Sequence, residues 1–213
     1  MTEPRSQLLT RVGIIGDPHA EDNLLVEAIR FLRGEGIETI LCTGDVVDGQ
    51  GDADRCCELL ESENILTVRG NHDRWYLGRE SLPRPVLTTR SRLFLRDLPP
   101  MRRLDTPSGP LLLCHGLGID DMAVFFPDDT EEAIASSLPL QSLLSEDYRY
   151  VVSGHTHARM SRAVGRTTFL NAGTLMWGYE QGFLLADFAE GAVAIYGFDE
   201  SGHAIPTGAL TLP

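Results

Sequence analysis

Histidine and carboxylate side chains gather in short motifs that each follow an apolar run. Five of the six histidines lie in four of these motifs, and a fifth motif adds two aspartates. The five motifs are Asp17-Pro18-His19, Gly44-Asp45-Val46-Val47-Asp48, Gly70-Asn71-His72-Asp73, Cys114-His115-Gly116 and Gly154-His155-Thr156-His157. Imidazole and carboxylate groups brought to one place are ligands for hard or borderline divalent metals. The pattern therefore predicts a metalloenzyme.

The apolar runs before the motifs are interpreted as buried strands. Strands and helices alternate in the first half of the chain, which predicts a mostly parallel sheet with right-handed crossovers. The predicted strands are Val12–Ile15, Thr39–Cys42, Ile65–Val68, Leu111–Cys114 and Tyr150–Ser153, and the predicted helices are Asp22–Arg33 and Asp52–Glu61. Side chains at the carboxyl ends of such strands project into the crevice where open α/β sheets bind ligands.

The sequence pattern changes in the second half of the chain, where it predicts mainly antiparallel strands. Between Arg79 and Pro110 the pattern loosens, with candidate strands at Arg92–Leu95 and Arg102–Leu104, and Asp128 or Asp129 could cap a helix over Thr130–Ser137. A further helix is predicted at Leu140–Glu146, and antiparallel strands at Met160–Val164, Thr167–Leu170, Phe183–Phe188 and Ala192–Phe198. Together the elements predict a β-rich α/β sandwich, with residues 1–213 forming a single domain.

Spacing within the motifs strengthens the prediction of one site. Asp17 and His19 are two residues apart, as are His155 and His157, and a period of two in extended chain places each pair on one side. Most of the motifs alone have an ordinary structural explanation; His115 alone, for example, would more often be a satisfied core histidine. Gly154-His155-Thr156-His157 is the stronger signal, because two histidines on one side beside a strand have few purely structural uses. Their joint occurrence at successive strand ends favours a common site.

Composition limits the classes of partner. The net charge is −13, which disfavours duplex nucleic acid and anionic membranes, because polyanions bind basic surfaces. All 18 basic residues are arginine, so neither a Schiff-base lysine nor a phosphate-binding-loop lysine is present. The four cysteines have no metal-binding or disulfide spacing, and the first ten residues lack a secretory pattern. We expect a cytoplasmic protein that acts on a small substrate.

In their order, the motifs resemble the signature of the calcineurin-like metallophosphoesterase superfamily, which is DxH, GDxxD, GNHD, a lone His and GHTH. The resemblance covers Val12 to Gly173. It implies a four-layer α/β/β/α sandwich of two mixed sheets and a site for two divalent metal ions. We expect Mn²⁺, with Fe, Ni or Zn as alternatives, because such donor sets accept several first-row ions.

The resemblance also implies roles for individual residues. One metal would be bound by Asp17, His19, Asp45 and His157, and the other by Asp45, Asn71, His115 and His155, so that Asp45 bridges them. A hydroxide held between the metals would attack phosphorus in line. His72 would be the general acid, with Asp73 orienting and charging its imidazole ring. Asp48 would either support the site from behind the ligands or be a surface turn residue.

The implied activity is hydrolysis of phosphomonoester or phosphodiester bonds in small substrates, nucleotides included. A catalytically inactive interaction scaffold of the same fold is the alternative, while a nuclease is opposed by the acidity. Arg74 and Arg159 could bind a second phosphate or be solvated surface charges. The C-terminal strands leave a homodimer open.

Four aromatic residues follow two of the motifs: Trp75, Tyr76, Phe125 and Phe126. They could form the wall of a substrate pocket by stacking on a base or aryl group. They could equally cover the edge of the sheet.

Overall fold

The computed structural model describes residues 8–78 and 86–212. The strands are β1 (Arg11–Ile15), β2 (Thr39–Cys42), β3 (Leu66–Thr67), β4 (Met101–Thr106), β5 (Gly109–Cys114), β6 (Tyr150–Ser153), β7 (Met160–Val164), β8 (Thr167–Asn171), β9 (Phe183–Asp187), β10 (Ala192–Phe198) and β11 (Ala204–Thr211). The helices are α1 (Asp22–Gly34), α2 (Ala53–Ser62), α3 (Asn71–Gly78), α4 (Thr89–Asp97), α5 (Glu131–Ser136) and α6 (Leu138–Ser145).

The strands form two mixed sheets. The first has the order β11-β10-β9-β1-β2-β3, in which β1, β2 and β3 are parallel and β9 to β11 are antiparallel to their neighbours. The second has the order β4-β5-β6-β8-β7, in which β5, β6 and β8 are parallel and both edge strands are antiparallel. The predicted pair of mixed sheets is confirmed.

Three apolar clusters define four layers. In β5, Leu111 and Leu113 face the other sheet, whereas Leu112 and Cys114 face the helical layer of α5 and α6, as the two-residue period of a strand requires. On the opposite side, α1 packs Leu25 and other apolar residues spaced three and four apart onto the first sheet. The order of layers is therefore helices, sheet, sheet, helices.

One predicted strand is wrong. Arg92–Leu95 lies inside helix α4, which begins after Thr88, whose hydroxyl accepts a hydrogen bond from the Ser91 N–H at 3.2 Å. Ser91 and Leu95 are both buried, so the buried face follows the four-residue period of a helix. The alternation of leucines at this place was misleading. The cap of α5 is likewise Thr130 rather than Asp128 or Asp129.

Two elements were not predicted. Helix α3 begins at Asn71, inside a predicted metal motif, and carries His72 in its first turn. Strand β11 pairs with β10 at the edge of the first sheet through a register shift at Ile195/Tyr196, opposite which Pro206 lies. A proline at an edge irregularity removes no inner ladder bond. In the described ranges, no helix is long and apolar enough to span a membrane.

Candidate metal centre

All five sequence motifs converge at one edge of the sandwich. Asp17 and His19 follow β1, Asp45 follows β2, and Asn71 follows β3; these come from the first sheet. The second sheet contributes three histidines: His115 follows β5, and His155 and His157 follow β6. The centre therefore lies where strand ends of the two sheets meet.

The backbone at the centre is held in an unusual conformation. Five ligand candidates have positive φ angles, and these are Asp17 (21°), His19 (44°), Asp45 (51°), His155 (65°) and His157 (57°). Residues other than glycine rarely adopt this region, and such strain concentrates at functional sites. The local turns aim these side chains inward at a cost in backbone energy.

Gly16, between β1 and Asp17, allows a close approach of two chain segments. A Cβ added to Gly16 would overlap the carbonyl oxygen of Gly173. We expect Gly16→Ala to lower the free energy of unfolding by about 1–3 kcal/mol, as overpacking does, measured by denaturant titration. Gly34→Ala is the matched control because nothing lies within 4 Å of its added Cβ. An equal loss in both variants would contradict the steric explanation.

The first ligand group consists of Asp17, His19 and His157. One ligand atom from each lies within 4.8 Å of the others. The Nε2 atoms of His19 and His157 are 3.1 Å apart, and His157 Nε2 is 3.3 Å from Asp17 Oδ2. These atoms could share one metal ion.

The second ligand group consists of Asp45, His115 and His155, whose ligand atoms also lie within 4.8 Å of one another. His115 Nε2 is 3.3 Å from Asp45 Oδ2 and 2.8 Å from Asn71 Oδ1. Asp45 Oδ2 is in addition 3.8 Å from His19 Nε2 of the first group. Asp45 therefore lies between the two groups, in the position that the predicted bridging ligand would occupy.

The tautomers of two histidines fit a metal ion. His115 Nδ1 lies 2.8 Å from the Thr43 carbonyl oxygen, and His19 Nδ1 lies 3.1 Å from the Val47 carbonyl oxygen. A carbonyl can only accept, so each Nδ1 carries a proton, and Nε2 of each ring is the nitrogen that faces the centre. Together with the oxygens of Asp45 and Asn71, these nitrogens form a set of nitrogen and oxygen donors that a divalent cation would bind after displacing any Nε2 proton. The donor set therefore fits the predicted metals.

The carboxylates dominate the electrostatics of this buried centre. Burial by itself would lower the pKa of His115, but Asp17 and Asp45 raise it to about 10. Burial by itself would raise the pKa of Asp17, but His115, together with two other histidines of the centre, holds it below its ordinary value. The centre thus favours ionised carboxylates and positive charge beside them, which suits cation binding.

Comparison with known proteins identifies the family. A model of the calcineurin-like phosphoesterase superfamily domain matches residues 10–191, which is most of the chain. The chain belongs to this superfamily. The resemblance seen in the motifs is thereby confirmed, and the metal-binding groups lie within the matched region.

Individual relatives of this calcineurin-like phosphoesterase domain are distant. An uncharacterized protein of Methanocaldococcus jannaschii is 37% identical over 71 residues, which cover 33% of this chain and 29% of that protein. A solved structure of YfcE, a phosphoesterase from Escherichia coli, has a TM-score of 0.60 at 14% identity, covering 95% of this chain and 100% of that one. A hypothetical protein from Pyrococcus horikoshii has a TM-score of 0.69 at 16% identity, covering 90% and 89%. These structures show the shared fold.

The partner of His72 differs from the prediction. His72 Nδ1 lies 2.9 Å from Asp48 Oδ2, and this hydrogen bond raises the pKa of His72. A ring nitrogen of His72 also lies within 4.8 Å of ligand atoms of His19 and Asp45, at the metal centre. Asp48 therefore orients the His72 ring, which is the role predicted for Asp73.

Asp73 instead holds the loop that carries Asp45. Its buried carboxylate accepts hydrogen bonds from the backbone N–H groups of Val46 (2.9 Å), Val47 (3.3 Å) and Gly70 (3.0 Å). Burial, together with the nearby charge of Asp45, raises the pKa of Asp73 to about 7. The predicted role of Asp73 in orienting His72 is corrected to a structural one.

Removal of the Asp73 carboxylate is expected to destabilise the fold. We expect Asp73→Ala to lower the free energy of unfolding by about 1–3 kcal/mol, because it leaves buried N–H donors without an acceptor. Denaturant unfolding of the metal-free protein measures the effect. The exposed Asp128 offers the control Asp128→Ala, whose change should stay within about 0.5 kcal/mol. A loss in Asp73→Ala as small as this would show that the carboxylate does not hold the loop.

The four aromatic residues predicted to form a pocket wall or to cover the sheet edge lie in different surroundings. Trp75 lies with its ring 5.0 Å from that of His72, and Tyr76 borders a cavity of about 580 Å³ that also reaches Asp48. Phe125 is buried and packs on Phe169 in the core, which excludes it from a pocket wall, while Phe126 is partly exposed. The pair after His72 therefore lies on the side of the centre, whereas Phe125 belongs to the core.

Further residues near the centre were not predicted, and the first of them, Tyr179, comes shortly after the segment Asn171-Ala172-Gly173-Thr174, which follows the last motif. Tyr179 lies edge-on to His157, with ring centroids 4.6 Å apart, and Trp177 is two residues before it. Thr43 was also missed; its hydroxyl donates to Asp17 Oδ1 at 2.7 Å. The only sequence signal was proximity to a glycine-containing segment after the last motif.

Proposed function

We propose that this protein hydrolyses phosphomonoester or phosphodiester bonds in small substrates with the help of two divalent metal ions. The observation that carries the proposal is the pair of ligand groups that share the Asp45 carboxylate between them. When bound, two such ions neutralise the phosphate and make a water nucleophilic near neutral pH. Membership of a phosphoesterase superfamily supports the same chemistry.

The charges of the centre suit an anionic substrate despite the acidic composition. Two divalent ions carry more positive charge than the carboxylates of Asp17 and Asp45 neutralise. The net positive charge is confined to the strand ends, and the remainder of the protein is negative. Small phosphate esters are therefore attracted to the centre, whereas long polyanions are repelled by its surroundings.

In the proposed mechanism, His72 protonates the leaving oxygen. Asp48 holds its Nδ1, so Nε2 is the nitrogen that remains for a substrate at the centre. The higher pKa of His72 keeps the ring protonated over a wider range of pH than an ordinary histidine. The side chain is 32% exposed, which leaves it accessible.

Two measurements test the proposal. Protein reloaded with Mn²⁺, and separately with Fe, Ni or Zn, should bind close to two equivalents of metal and hydrolyse members of a panel of phosphomonoesters, cyclic nucleotides and aryl phosphodiesters. Binding of less than one equivalent under saturating metal would favour the inactive scaffold. Two bound equivalents without hydrolysis of any ester would also contradict the proposed activity.

A further inference from the structure

The loop formed by residues 174–181 presents two large aromatic side chains to solvent, and one of them, Tyr179, contacts His157 of the candidate metal centre. Trp177 is 67% exposed and Tyr179 is 53% exposed. Exposed rings of this size contribute little to the core, and clustered exposed apolar groups mark binding surfaces. This loop therefore needs an explanation other than folding stability.

Several contacts fix the 174–181 loop to the centre. The Thr174 hydroxyl donates to the Asp17 carbonyl at 2.7 Å, and the Trp177 N–H donates to Glu21 Oε1 at 3.2 Å. The Gln181 side chain donates to the Leu175 carbonyl at 2.6 Å, which closes the loop on itself. The aromatic side chains are thus carried on a backbone that is already ordered, so a ligand would meet a preformed surface.

Tyr179 continues a row of rings that crosses the metal centre. His72, His19 and His157 lie next to one another with centroid separations of 5.0 Å, and Tyr179 follows His157 at 4.6 Å. In this order of contacts, Tyr179 is the last ring at one end and His72 the last at the other. A substrate whose leaving oxygen lies at His72 would extend its other substituent towards Tyr179 and Trp177.

The charges near this loop favour an uncharged substituent. Arg159 is bound by Glu180, with its Nη1 atom 2.8 Å from the carboxylate and Nη2 3.3 Å from the carbonyl oxygen. Arg74, across the centre, makes a two-point contact with Asp121 at 2.6 and 2.8 Å. Both guanidinium groups considered for a second phosphate therefore already have carboxylate partners.

We propose that Tyr179 and Trp177 form a binding site for a planar aromatic substituent attached to the phosphate, such as an aryl group or a nucleoside base, on the side away from the leaving group. The juxtaposition of Tyr179 with His157 carries this inference, which rests on the proposed phosphoesterase function. Stacking on such rings tolerates many planar groups, so the site selects shape rather than one base. The preferred substrates are then phosphodiesters with a flat ring on the non-leaving side.

Two esters with the same leaving group isolate this contact. Mn²⁺-loaded protein is assayed with phenyl 4-nitrophenyl phosphate and with methyl 4-nitrophenyl phosphate, and the ratio of their kcat/KM values is taken. We expect the wild-type ratio to favour the phenyl ester and Tyr179→Ala to lower the ratio about 10-fold, as removal of a stacking ring does. Tyr179→Phe, which keeps the ring, should retain the wild-type ratio.

Leu138→Ala is the surface control, because Leu138 is 82% exposed at the start of α6 in the outer helical layer. Its ratio should equal that of the wild type. A Tyr179→Ala variant that keeps the wild-type ratio, or that loses activity equally on both esters, would overturn the proposal. Equal loss would mean that Tyr179 only supports His157.

A binding measurement separates this proposal from the phosphoesterase function. The chain has two tryptophans, so Trp75→Phe leaves Trp177 as the single fluorescent indole. Phenylphosphonate, whose carbon–phosphorus bond is not hydrolysed, should quench Trp177 in the metal-loaded protein, whereas methylphosphonate should not. Equal responses to the two phosphonates would overturn the aromatic site. Selective quenching without hydrolysis of any ester would support the site while contradicting the proposed activity.

Discussion

Replacing Asp45 with asparagine is expected to remove most of the activity and at least one of the two metal ions. The Asp45 Oδ2 atom lies between both sets of ligand atoms, and asparagine replaces this anionic oxygen with part of a neutral amide. Losing several kcal/mol of metal-derived stabilisation of the transition state corresponds to a fall in kcat of roughly 10³-fold or more. Metal analysis and steady-state kinetics on one preparation measure both effects.

Asparagine is chosen because it preserves the local fold. Asp45 has a φ of 51°, which asparagine tolerates, and its Oδ1 accepts a hydrogen bond from the His72 N–H at 2.8 Å that an amide oxygen can also accept. Asp128→Asn makes the same charge change at an exposed position and should leave metal content and kcat unchanged. Full metal content and near wild-type turnover in Asp45→Asn would contradict the bridging role.

Replacing His72 with alanine is expected to separate substrates by their leaving groups. Protonation of the leaving oxygen is typically worth about 10²- to 10⁴-fold in rate, and it matters most where the leaving alcohol is a poor one. We therefore expect kcat for an alkyl phosphate ester to fall by this factor, and kcat for the 4-nitrophenyl ester to fall far less. Parallel kinetics on the two esters measure the difference.

Asp48→Asn is the companion variant because it leaves His72 in place but removes the negative charge from its Nδ1 partner. A smaller loss with the same dependence on leaving group is expected, since the amide oxygen can still accept the hydrogen bond. Metal content should remain intact in both variants. Equal losses on both esters in His72→Ala, or loss of a metal ion, would instead assign His72 to the ligand set.

The strands that deliver the ligands could be predicted because they are short, mostly apolar and followed by polar motifs. Tyr150–Ser153 and Thr39–Cys42 were predicted with the bounds that the structure gives them. Such strands are buried on both faces, so a continuous apolar run is enough to identify them in the sequence. Strand β11 is largely exposed and contains Pro206, so neither apolar alternation nor propensity marked it.

The detailed partners at the centre could not be predicted because they depend on backbone turns. Asp73 is adjacent to His72 in the sequence, but the first turn of α3 directs it towards the backbone of the Asp45 loop. Asp48, with a φ of 68°, is directed back to the His72 ring from another loop. Tyr179 reaches His157 only through long-range contacts of its loop, for which the chain carries no local pattern.

The division of the ligands between the two sheets has a thermodynamic consequence. Asp17, His19, Asp45 and Asn71 belong to one half of the sandwich, and His115, His155 and His157 to the other, so bound metal would act as a cross-link between the halves. Ions that bind only the folded chain shift the folding equilibrium by mass action. The fraction of molecules with bound metal would then determine how strongly the two halves of the sandwich are held in contact.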